Sequence, residues 1–578
     1  MTDLTLDGMR GDVADALDLA ADAVRDDDDL LRLGLDSISL MRLAALWRKA
    51  GSGVTFAELM ERRTLGEWWQ LVRAPGGAAE QATIVTAAQN EPFPLATMQH
   101  AYWVGRTDGQ VLGGVGAHFY NEFDGREVDP ARLGEAVAAL VARHPMLRCR
   151  FLDDGTQQIM AEPAWRGLTT RDLRGLPADQ VESVLAQVRD ELSHTRLDVG
   201  RGEVFDVSLS LLPGQTCRVH VKIEMLVADA HSFRVLLADL AAAYRGESLP
   251  PVSIDYPSYL ATIAANPPAG RDAAMAYWRE RLPELPSGPE LPLDKTPAQI
   301  TRPAVGRRFH WLSAQQWEEL SARAREHGVT LSMVFLTAFA EVLAAWSTNH
   351  RFVLNLPLYD RRPIHPEAAD LVGDFTNLLL LEVNAEGELG FAERARLLQE
   401  RFTSDMRHSA YSGVEVLRDL ARGGAGRGVT APVVFTSALS LGELFGADVR
   451  GCFGEPGWTM SQTPQVWLDC QVTEREGGLF VNWDAVEELF PEGVLDAMFG
   501  GFVGVLGWLV EGDWSVGVPV SVPVRPRGEV GVVSGRLVHE GFFEYAAACP
   551  DAVALVWGDS GRLTYGELAE RVLVVAGA

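Results

Sequence analysis

Leu33–Gly51 reads LGLDSISLMRLAALWRKAG, and this stretch decides the fold of the first part of the chain. It predicts an amphipathic helix that begins near Ile38 and ends at Gly51, with Asp36 and Ser37 directly before it. A helix N-terminus offers unpaired N–H groups and the positive end of the helix dipole, which favour a phosphodiester linked through Ser37. The plainer alternative is that Asp36 or Ser37 only caps the helix, and this motif by itself does not exclude it.

The residues around this helix predict a compact, all-α domain. Four apolar residues before it recur at three- and four-residue spacing: Val13, Leu17, Ala20 and Val24. After it, VTFAELMERRTLGEWWQLV (Val54–Val72) predicts a short third helix and a fourth. We therefore expect a four-helix bundle over residues 1–76, followed by a Gly/Ala/Pro-rich linker over residues 77–91.

The overall charge and cysteine content exclude several classes of partner and site. With 51 basic and 79 acidic side chains, the 578-residue chain has a formal net charge of −28, which argues against nucleic acid and anionic membranes as partners. Five widely spaced cysteines favour reduced thiols over a zinc site or a disulfide framework. The N-terminus resembles no secretion signal, and we expect a cytoplasmic protein.

Residues 92–515 predict an α/β domain. Four stretches have helical character: Pro130–Arg143, Ala178–Ser193, Leu312–His327 and Leu331–Trp346. Four others are β-rich: Cys217–Met225, Arg351–Leu358, Asn377–Val383 and Ala431–Thr436. This interleaving predicts α/β layers repeated in two lobes, which we place at residues 92–265 and 266–515.

The remainder of the chain divides into a connector and the start of another domain. The Val/Pro/Gly-rich residues 516–536 read as a second linker. Residues 537–578 then begin a further domain, and LTYGEL at Leu563–Leu568 resembles the first core motif of adenylation domains.

Seven motifs, in the expected order, identify residues 93–484 as resembling the heterocyclization branch of condensation domains. They are FPLATMQHAYWVGR at Phe93–Arg106, RHPMLR at Arg143–Arg148, LPELPSGPELPL at Leu282–Leu293, TLSMVFLTAFAEVLAAW at Thr330–Trp346, GDFTNLLLL at Gly373–Leu381, PVVFTSAL at Pro432–Leu439 and SQTPQVWLD at Ser461–Asp469. The resemblance implies two chloramphenicol-acetyltransferase-like lobes that form a V, with a tunnel between them. Residues 8–75 resemble the aryl carrier proteins that open phenolate siderophore synthetases of the pyochelin, yersiniabactin and mycobactin type.

The motif EMLVADAHS at Glu224–Ser232 separates this chain from ordinary condensation domains, which carry HHxxxDG here. Heterocyclization domains carry DxxxxDxxS; Asp229 and Ser232 match this pattern, whereas Glu224 replaces the first aspartate. We favour a buried salt bridge over direct catalysis for Asp229, with Arg148 as a hypothetical partner. For His231 we favour an orienting role near the site.

The resemblance places the cyclodehydration pair at Thr436 and Asp469. Thr436 follows the apolar run Val433–Phe435, which suggests a strand end that faces a cavity. A carboxyl group that relays protons and a hydroxyl that positions an intermediate suit the loss of water from a tetrahedral carbon. Gln465 and Ser437 are the expected supporting residues.

The resemblance also implies the substrates, the cofactor and the partners. Ser37 would carry 4′-phosphopantetheine loaded with salicylate or 2,3-dihydroxybenzoate. The acyl group would be joined to a carrier-bound Cys, Ser or Thr and closed into a thiazoline or oxazoline. Implied partners are a phosphopantetheinyl transferase, a stand-alone aryl-adenylating enzyme and the downstream adenylation and peptidyl carrier domains. Two alternatives remain open at this point: condensation without cyclization, which the Glu224 replacement permits, and a catalytically silent docking scaffold.

Overall fold

The computed structural model divides the chain into two compact units, Met1–Val522 and Pro523–Ala578. It describes residues 4–17, 19–30, 33–35, 37–50, 52, 54, 58, 59, 62–73, 83–88, 90–268, 270–422, 431–439, 441–520, 539–557 and 561–576. Each unit is described by itself below.

The first unit begins with the helical domain predicted from its apolar spacing. Its helices are α1 (Leu6–Leu17), α2 (Ser37–Lys49) and α3 (Leu65–Arg73). Trp47 and Trp68 are fully buried, and their rings meet edge to face with centroids 5.8 Å apart. Trp68 therefore packs within the helical domain. The short third helix predicted within Val54–Val72 would precede α3, and residues 55–57, 60 and 61 of that stretch lie outside the described residues.

The segment predicted as a linker is partly anchored to the next domain. The backbone N–H groups of Val85 and Ala87 donate to Thr262 Oγ1 and Ser258 Oγ, each at 3.0 Å. These hydroxyls belong to helix α8 (Tyr256–Ala265). Residues 83–88 thus lie against this helix, while residues 74–82 lie outside the described part of the chain.

Two sheets form the scaffold of the following α/β domain. The first has the strand order β12-β2-β7-β6-β5, the second the order β10-β9-β11-β13-β14-β8, and a small third sheet has the order β1-β4-β3. The strands are β1 (Phe93–Pro94), β2 (His118–Arg126), β3 (Cys149–Phe151), β4 (Thr156–Ile159), β5 (Thr169–Asp172), β6 (Phe205–Leu211), β7 (Thr216–Glu224), β8 (Val305–Leu312), β9 (Arg351–Tyr359), β10 (Thr376–Asn384), β11 (Val433–Ser437), β12 (Glu455–Gln462), β13 (Leu468–Arg475) and β14 (Gly478–Val486).

Helices cover both sheets, as the interleaved pattern predicts. They are α4 (Thr97–Gly105), α5 (Pro130–Arg143), α6 (Ala178–His194), α7 (Ala230–Arg245), α8 (Tyr256–Ala265), α9 (Arg271–Arg281), α10 (Ala314–Glu326), α11 (Leu331–Trp346), α12 (Phe391–Met406), α13 (Gly413–Arg422), α14 (Ala447–Phe453) and α15 (Val494–Glu511). Helix α15 is long and apolar enough to cross a membrane by length and composition, but Val494, Met498 and Phe502 on one of its faces pack into the core of the second sheet.

Each large sheet has its own hydrophobic core, and the two lobes exchange segments. The first core draws mostly on residues 93–259, and the second mostly on residues 274–514. However, Leu371, Phe375 and Phe453 are buried in the first core, and β12 joins the first sheet beside β2. Segments from beyond residue 265 therefore contribute to the first core and the first sheet, and the division at residues 265 and 266 stays a prediction.

The second unit contains α16 (Glu540–Ala548), β15 (Val553–Trp557), β16 (Gly561–Thr564) and α17 (Tyr565–Ala576). The two strands form an antiparallel pair. The LTYGEL motif lies at the end of β16 and the start of α17.

Candidate functional site

A cavity of about 790 Å³ lies between the two large sheets. We call it the central cavity. Phe119 and Asn121 of β2 line it from the first sheet, and Thr436 of β11 and Asp469 of β13 line it from the second. The cavity thus brings together strands that are far apart in the sequence.

Thr436 and Asp469 meet because β11 and β13 are adjacent and parallel. In their register Val434 lies opposite Asp469, and Thr436 lies opposite Gln471. Alternate residues of a strand share a face, so Val434 and Thr436 both face the cavity. Thr436 Oγ1 donates a hydrogen bond of 3.0 Å to Asp469 Oδ1. The structure therefore brings together the two residues predicted to act in ring closure.

The carboxyl group of Asp469 has a raised pKa. It faces the cavity and is otherwise enclosed by protein, and this desolvation raises its pKa from 3.8 to about 6. The nearby charge of Asp484 raises the pKa further, whereas hydrogen bonds from Gln471 and Thr436 oppose the rise. Near neutral pH this carboxyl group can both accept and return a proton.

Gln471 fixes the second oxygen of this carboxyl group. Its Nε2 donates to Asp469 Oδ2 and to Ser461 Oγ, each at 2.6 Å. Asn482 Nδ2 in turn donates to Gln471 Oε1 at 3.2 Å. Gln471 is two residues after Asp469, on the same face of β13, and this spacing is the sequence signal that could have identified it.

A buried ion pair between Arg307 and Asp484 supports this network. Arg307 on β8 pairs with both oxygens of Asp484 on β14, through Nε at 2.6 Å and Nη2 at 2.5 Å, and both side chains are almost fully buried. Asp484 Oδ2 also accepts from Ser461 Oγ at 3.1 Å. The sequence did not single out Arg307, because its strand pairs with β14 only in the folded sheet.

The two predicted supporting residues have different positions. Gln465 lines the central cavity, and its backbone N–H donates to the carbonyl of Leu112 at 3.0 Å. Ser437 is on the opposite face of β11, and its Oγ lies 2.9 Å from Ser332 Oγ of helix α11. The prediction that Ser437 supports the pair is therefore wrong, since side chains alternate along a strand.

Glu224 forms a buried ion pair in this fold. It is fully buried at the end of β7, does not line the central cavity, and accepts a hydrogen bond of 2.9 Å from Arg106 Nη1. Burial raises its pKa, and Arg106 opposes this rise. A Cβ atom at Gly116 would lie 2.8 Å from Glu224 Oε1, so the longer side chain fits here beside a glycine.

Asp229 caps helix α7 and takes part in a buried salt bridge. Its Oδ1 accepts from the backbone N–H of Ser232 at 2.7 Å and lies 3.3 Å from Arg361 Nη2. Arg148, the expected partner, instead donates to the backbone carbonyl of Met160 at 3.0 Å. The partner was predicted wrongly because Arg361 reaches the helix from a loop more than 100 residues away along the chain.

Ser232 and His231 fasten this helix start to a neighbouring loop. Ser232 Oγ donates to the carbonyl of Gly373 at 2.8 Å and accepts from Arg361 Nη2 at 2.9 Å. His231 Nε2 lies 3.0 Å from the carbonyl of Ala369, and burial lowers the pKa of its ring. These contacts position the segment that follows β7 and support an architectural role for the Glu224–Ser232 motif.

Ser37 is the first residue of helix α2, which is 13 residues long. A serine hydroxyl at the N-terminal end of a helix of this length suits a phosphodiester, because the unpaired N–H groups and the dipole favour a negative charge. The position therefore fits the predicted attachment of phosphopantetheine.

Family comparisons agree with this arrangement. Residues 116–508 match the condensation domain family, and residues 7–72 match the phosphopantetheine attachment site family. Phenyloxazoline synthase MbtB of Mycobacterium bovis is 46% identical over 99% of this chain and 41% of its own length. Pyochelin synthetase PchE of Pseudomonas aeruginosa is 41% identical over 96% of this chain and 39% of its own length. The chain thus spans about two fifths of these curated relatives.

Solved structures show the same fold. The EpoB cyclization-docking bidomain of a nonribosomal peptide synthetase (NRPS) from Sorangium cellulosum is 34% identical, with a TM-score of 0.68 over 75% of this chain and 89% of its own. The nonribosomal peptide synthetase FmoA3 is 33% identical, with a TM-score of 0.67 over 87% of this chain and 53% of its own.

Proposed function

The chain belongs to the condensation domain family, with a phosphopantetheine attachment domain before it, and from this premise we propose that it forms an aryl-substituted oxazoline or thiazoline. In this proposal the first domain presents an aryl acyl group as a thioester. The α/β domain joins it to a Cys, Ser or Thr residue and closes the ring. The names of the relatives, phenyloxazoline synthase and pyochelin synthetase, support this choice of product.

The observation that carries the proposal is the pairing of Thr436 with Asp469 inside the central cavity. The hydroxyl and the carboxyl are 3.0 Å apart, and the carboxyl has a pKa of about 6. Simple condensation requires no loss of oxygen from the new amide. Ring closure does, and it needs a group that accepts one proton and then returns one.

The reaction balances in two stages. First, the acceptor amine attacks the thioester carbonyl carbon; a C–N bond forms, the C–S bond breaks, and the leaving thiol takes the proton that the amine loses. Second, the acceptor side-chain oxygen or sulfur adds to the amide carbon, and the Asp469 carboxylate accepts its proton. Asp469 then returns this proton to the former carbonyl oxygen. The Asp469 carboxylate next accepts the proton of the nitrogen and passes it to this hydroxyl, which leaves as water while the C=N bond forms.

Each residue of the pair has a defined task in this scheme. Asp469 moves the proton, with Gln471 keeping the carboxyl group in place from the other side. Thr436 holds Asp469 Oδ1 through its own hydrogen, and its oxygen can accept a hydrogen bond from the tetrahedral intermediate. The apolar surroundings limit the access of water that would compete with the acceptor.

The Glu224 replacement gives no specific support to condensation without cyclization. Its carboxylate is bound to Arg106 and lies outside the cavity, so the extra methylene does not reach the reacting atoms. Asp229 is part of the cavity lining, but its contact with Arg361 and its capping of α7 support an architectural role for this motif. Ring formation therefore remains the function best supported by the geometry.

The first domain supplies the acyl donor in this proposal. When attached through Ser37, 4′-phosphopantetheine supplies the thiol that holds the acyl group as a thioester. A phosphopantetheinyl transferase, a stand-alone aryl-adenylating enzyme, and downstream adenylation and peptidyl carrier domains are the proposed partners. Holding both substrates on carriers raises their effective concentration, so the cavity does not need to bind free small molecules tightly. We assign residues 537–578 to the beginning of the adenylation domain.

The test is to load the chain with salicylate, supply a threonine-, serine- or cysteine-loaded acceptor carrier, and determine the product masses. We expect a ring from the wild type and the linear amide, heavier by one water, from Thr436→Ala and Asp469→Asn. Ser437→Ala is the matched control, because it removes the adjacent hydroxyl from the opposite face of the same strand. A wild-type protein that yields only linear amide would show condensation without cyclization. No coupled product from a folded, fully loaded protein would indicate the silent scaffold.

A further inference from the structure

Asn121 is a buried amide with no hydrogen-bond partner. It lies on β2, its side chain lines the central cavity, and only 1% of the residue is exposed. Neither Oδ1 nor Nδ2 has a partner. Buried polar groups in proteins are almost always paired with protein, water or a ligand, so the unpaired amide of a cavity-lining residue marks a place where a ligand can supply the missing partner.

The walls around Asn121 are aromatic. Phe119 lies two residues earlier on the same face of β2, and its ring stacks on Phe233 with centroids 5.6 Å apart. Phe233, Leu444 and Phe445 also line the cavity. A flat apolar group with one polar substituent fits such a wall better than an aliphatic chain with several amides, which would need more polar partners.

The position of Asn121 relative to the reacting residues suits an acyl donor. Asn121 is paired with Thr459 across β2 and β12, and Phe119 is paired with Ser461. Ser461 in turn accepts a hydrogen bond from Gln471, which holds Asp469. Two residues along a strand span about 7 Å, which is comparable to an aryl ring together with its carbonyl group.

We propose that Asn121 recognises the hydroxyl group of an ortho-hydroxyaryl acyl donor whose ring packs against Phe119, Phe233 and Phe445. The hydroxyl can donate to Oδ1 or accept from Nδ2. This inference rests on the proposed function and adds to it the residue that selects the donor. An unsubstituted aryl ring would fill the same space but leave the amide unpaired, and this difference provides the selectivity.

A donor-preference experiment tests this assignment. A phosphopantetheinyl transferase loads the full chain with a salicyl- or a benzoyl-pantetheine arm, and the sum of linear amide and ring is followed with one loaded acceptor carrier. For the wild type we expect the single-turnover rate of coupling with the salicyl arm to exceed that with the benzoyl arm about 10- to 100-fold, because the benzoyl ring leaves a buried amide unpaired. Asn121→Leu should reduce this ratio to within about threefold of unity.

Two further variants keep the result interpretable. Asn355 also lines the cavity with an unpaired Oδ1, but it lies on β9 beside Val434, at the level of Asp469. Asn355→Leu should therefore lower the rates of both donors and leave their ratio unchanged. Thr337→Val removes a fully buried, unpaired hydroxyl that is remote from the cavity lining and controls for changes in stability.

The outcomes separate the two proposals. If Asn121→Leu lowers the coupling rate equally with both donors, or leaves the salicyl-to-benzoyl rate ratio unchanged, the proposed role of Asn121 is wrong. The ring product would still support the proposed function. A change of the ratio in Asn355→Leu alone would also overturn it. If the wild type couples neither donor, the proposed function fails and the inference fails with it.

Discussion

Replacing Gln471 with methionine should shift the pH dependence of ring closure. The substitution keeps the length of the side chain but removes the 2.6 Å hydrogen bond from Nε2 to Asp469 Oδ2. A hydrogen bond to a charged group contributes about 1.5–3 kcal/mol, and this stabilisation favours the ionised carboxylate. Because one pKa unit corresponds to about 1.4 kcal/mol, its loss should raise the pKa of Asp469 by about 1–2 units.

The direction of the effect follows from the proposed role of Asp469. Ring closure begins with an ionised carboxylate, so its rate should rise with pH through the pKa, which is about 6 in the wild type. In Gln471→Met the midpoint should move to about pH 7–8, and the rate at pH 7 should fall about two- to tenfold. Amide formation should keep its rate, since Gln471 acts on the carboxyl group needed only in the second step.

The assay is a quenched time course at pH 5–9, in which linear amide and ring are quantified separately by mass. Ser437→Ala serves as the control, and melting temperatures establish that each variant is folded. A midpoint that stays near pH 6 in Gln471→Met would refute the argument that this hydrogen bond sets the pKa. Parallel loss of amide formation would show a general disturbance of the cavity.

Four other predictions follow from the contacts. Because the folded pKa of Asp469 lies above its ordinary 3.8, its contribution to stability is present at low pH and is lost as pH rises through about 6. Asp469→Asn should therefore raise the free energy of unfolding at pH 8, by up to about 3 kcal/mol, and have little effect near pH 4, as measured by urea unfolding. Arg361→Met leaves the buried Asp229 carboxylate unpaired and should lower the unfolding free energy by about 3–5 kcal/mol, and a change below 1 kcal/mol would contradict the structural role of this pair. Glu224→Asp shortens the side chain that reaches Arg106, so it should lower the melting temperature while the ring-to-amide ratio stays constant. A changed ratio would indicate that Glu224 takes part in the reaction. Phosphopantetheinyl transfer should add the mass of one arm to the wild type and nothing to Ser37→Ala, and modification of that variant would place the attachment elsewhere.

Much of the architecture could be predicted from local sequence patterns. The helices at Pro130–Arg143 and Leu331–Trp346 have the predicted bounds, and the strand Arg351–Tyr359 extends the predicted one by a single residue. These elements are set by the spacing of their apolar residues and by caps such as Asp129 and Thr330, which are local properties. The pair Thr436 and Asp469 was predicted from the resemblance to heterocyclization domains, because both residues lie in motifs that match that family.

The supporting residues could not be predicted, because strand pairing decides them. Arg307 and Asp484 are 177 positions apart, yet they pair because β8 lies beside β14. Arg361 rather than Arg148 reaches Asp229 for the same kind of reason. Such contacts depend on the order of strands and loops in space, which no local pattern contains.

The amino-acid sequence by itself determined the order of the domains, the periodic helices and strands, and the residues proposed for attachment and ring closure. Only the tertiary structure decided which side chains face the cavity. Alternation along β11 directs Thr436 inward and Ser437 outward, and burial inside the lobe raises the pKa of Asp469 to about 6. The same burial leaves the Asn121 amide unpaired among aromatic rings. The physical reason is that polarity and hydrogen-bonding capacity are fixed by residue type, whereas desolvation and pairing arise only when distant strands come together.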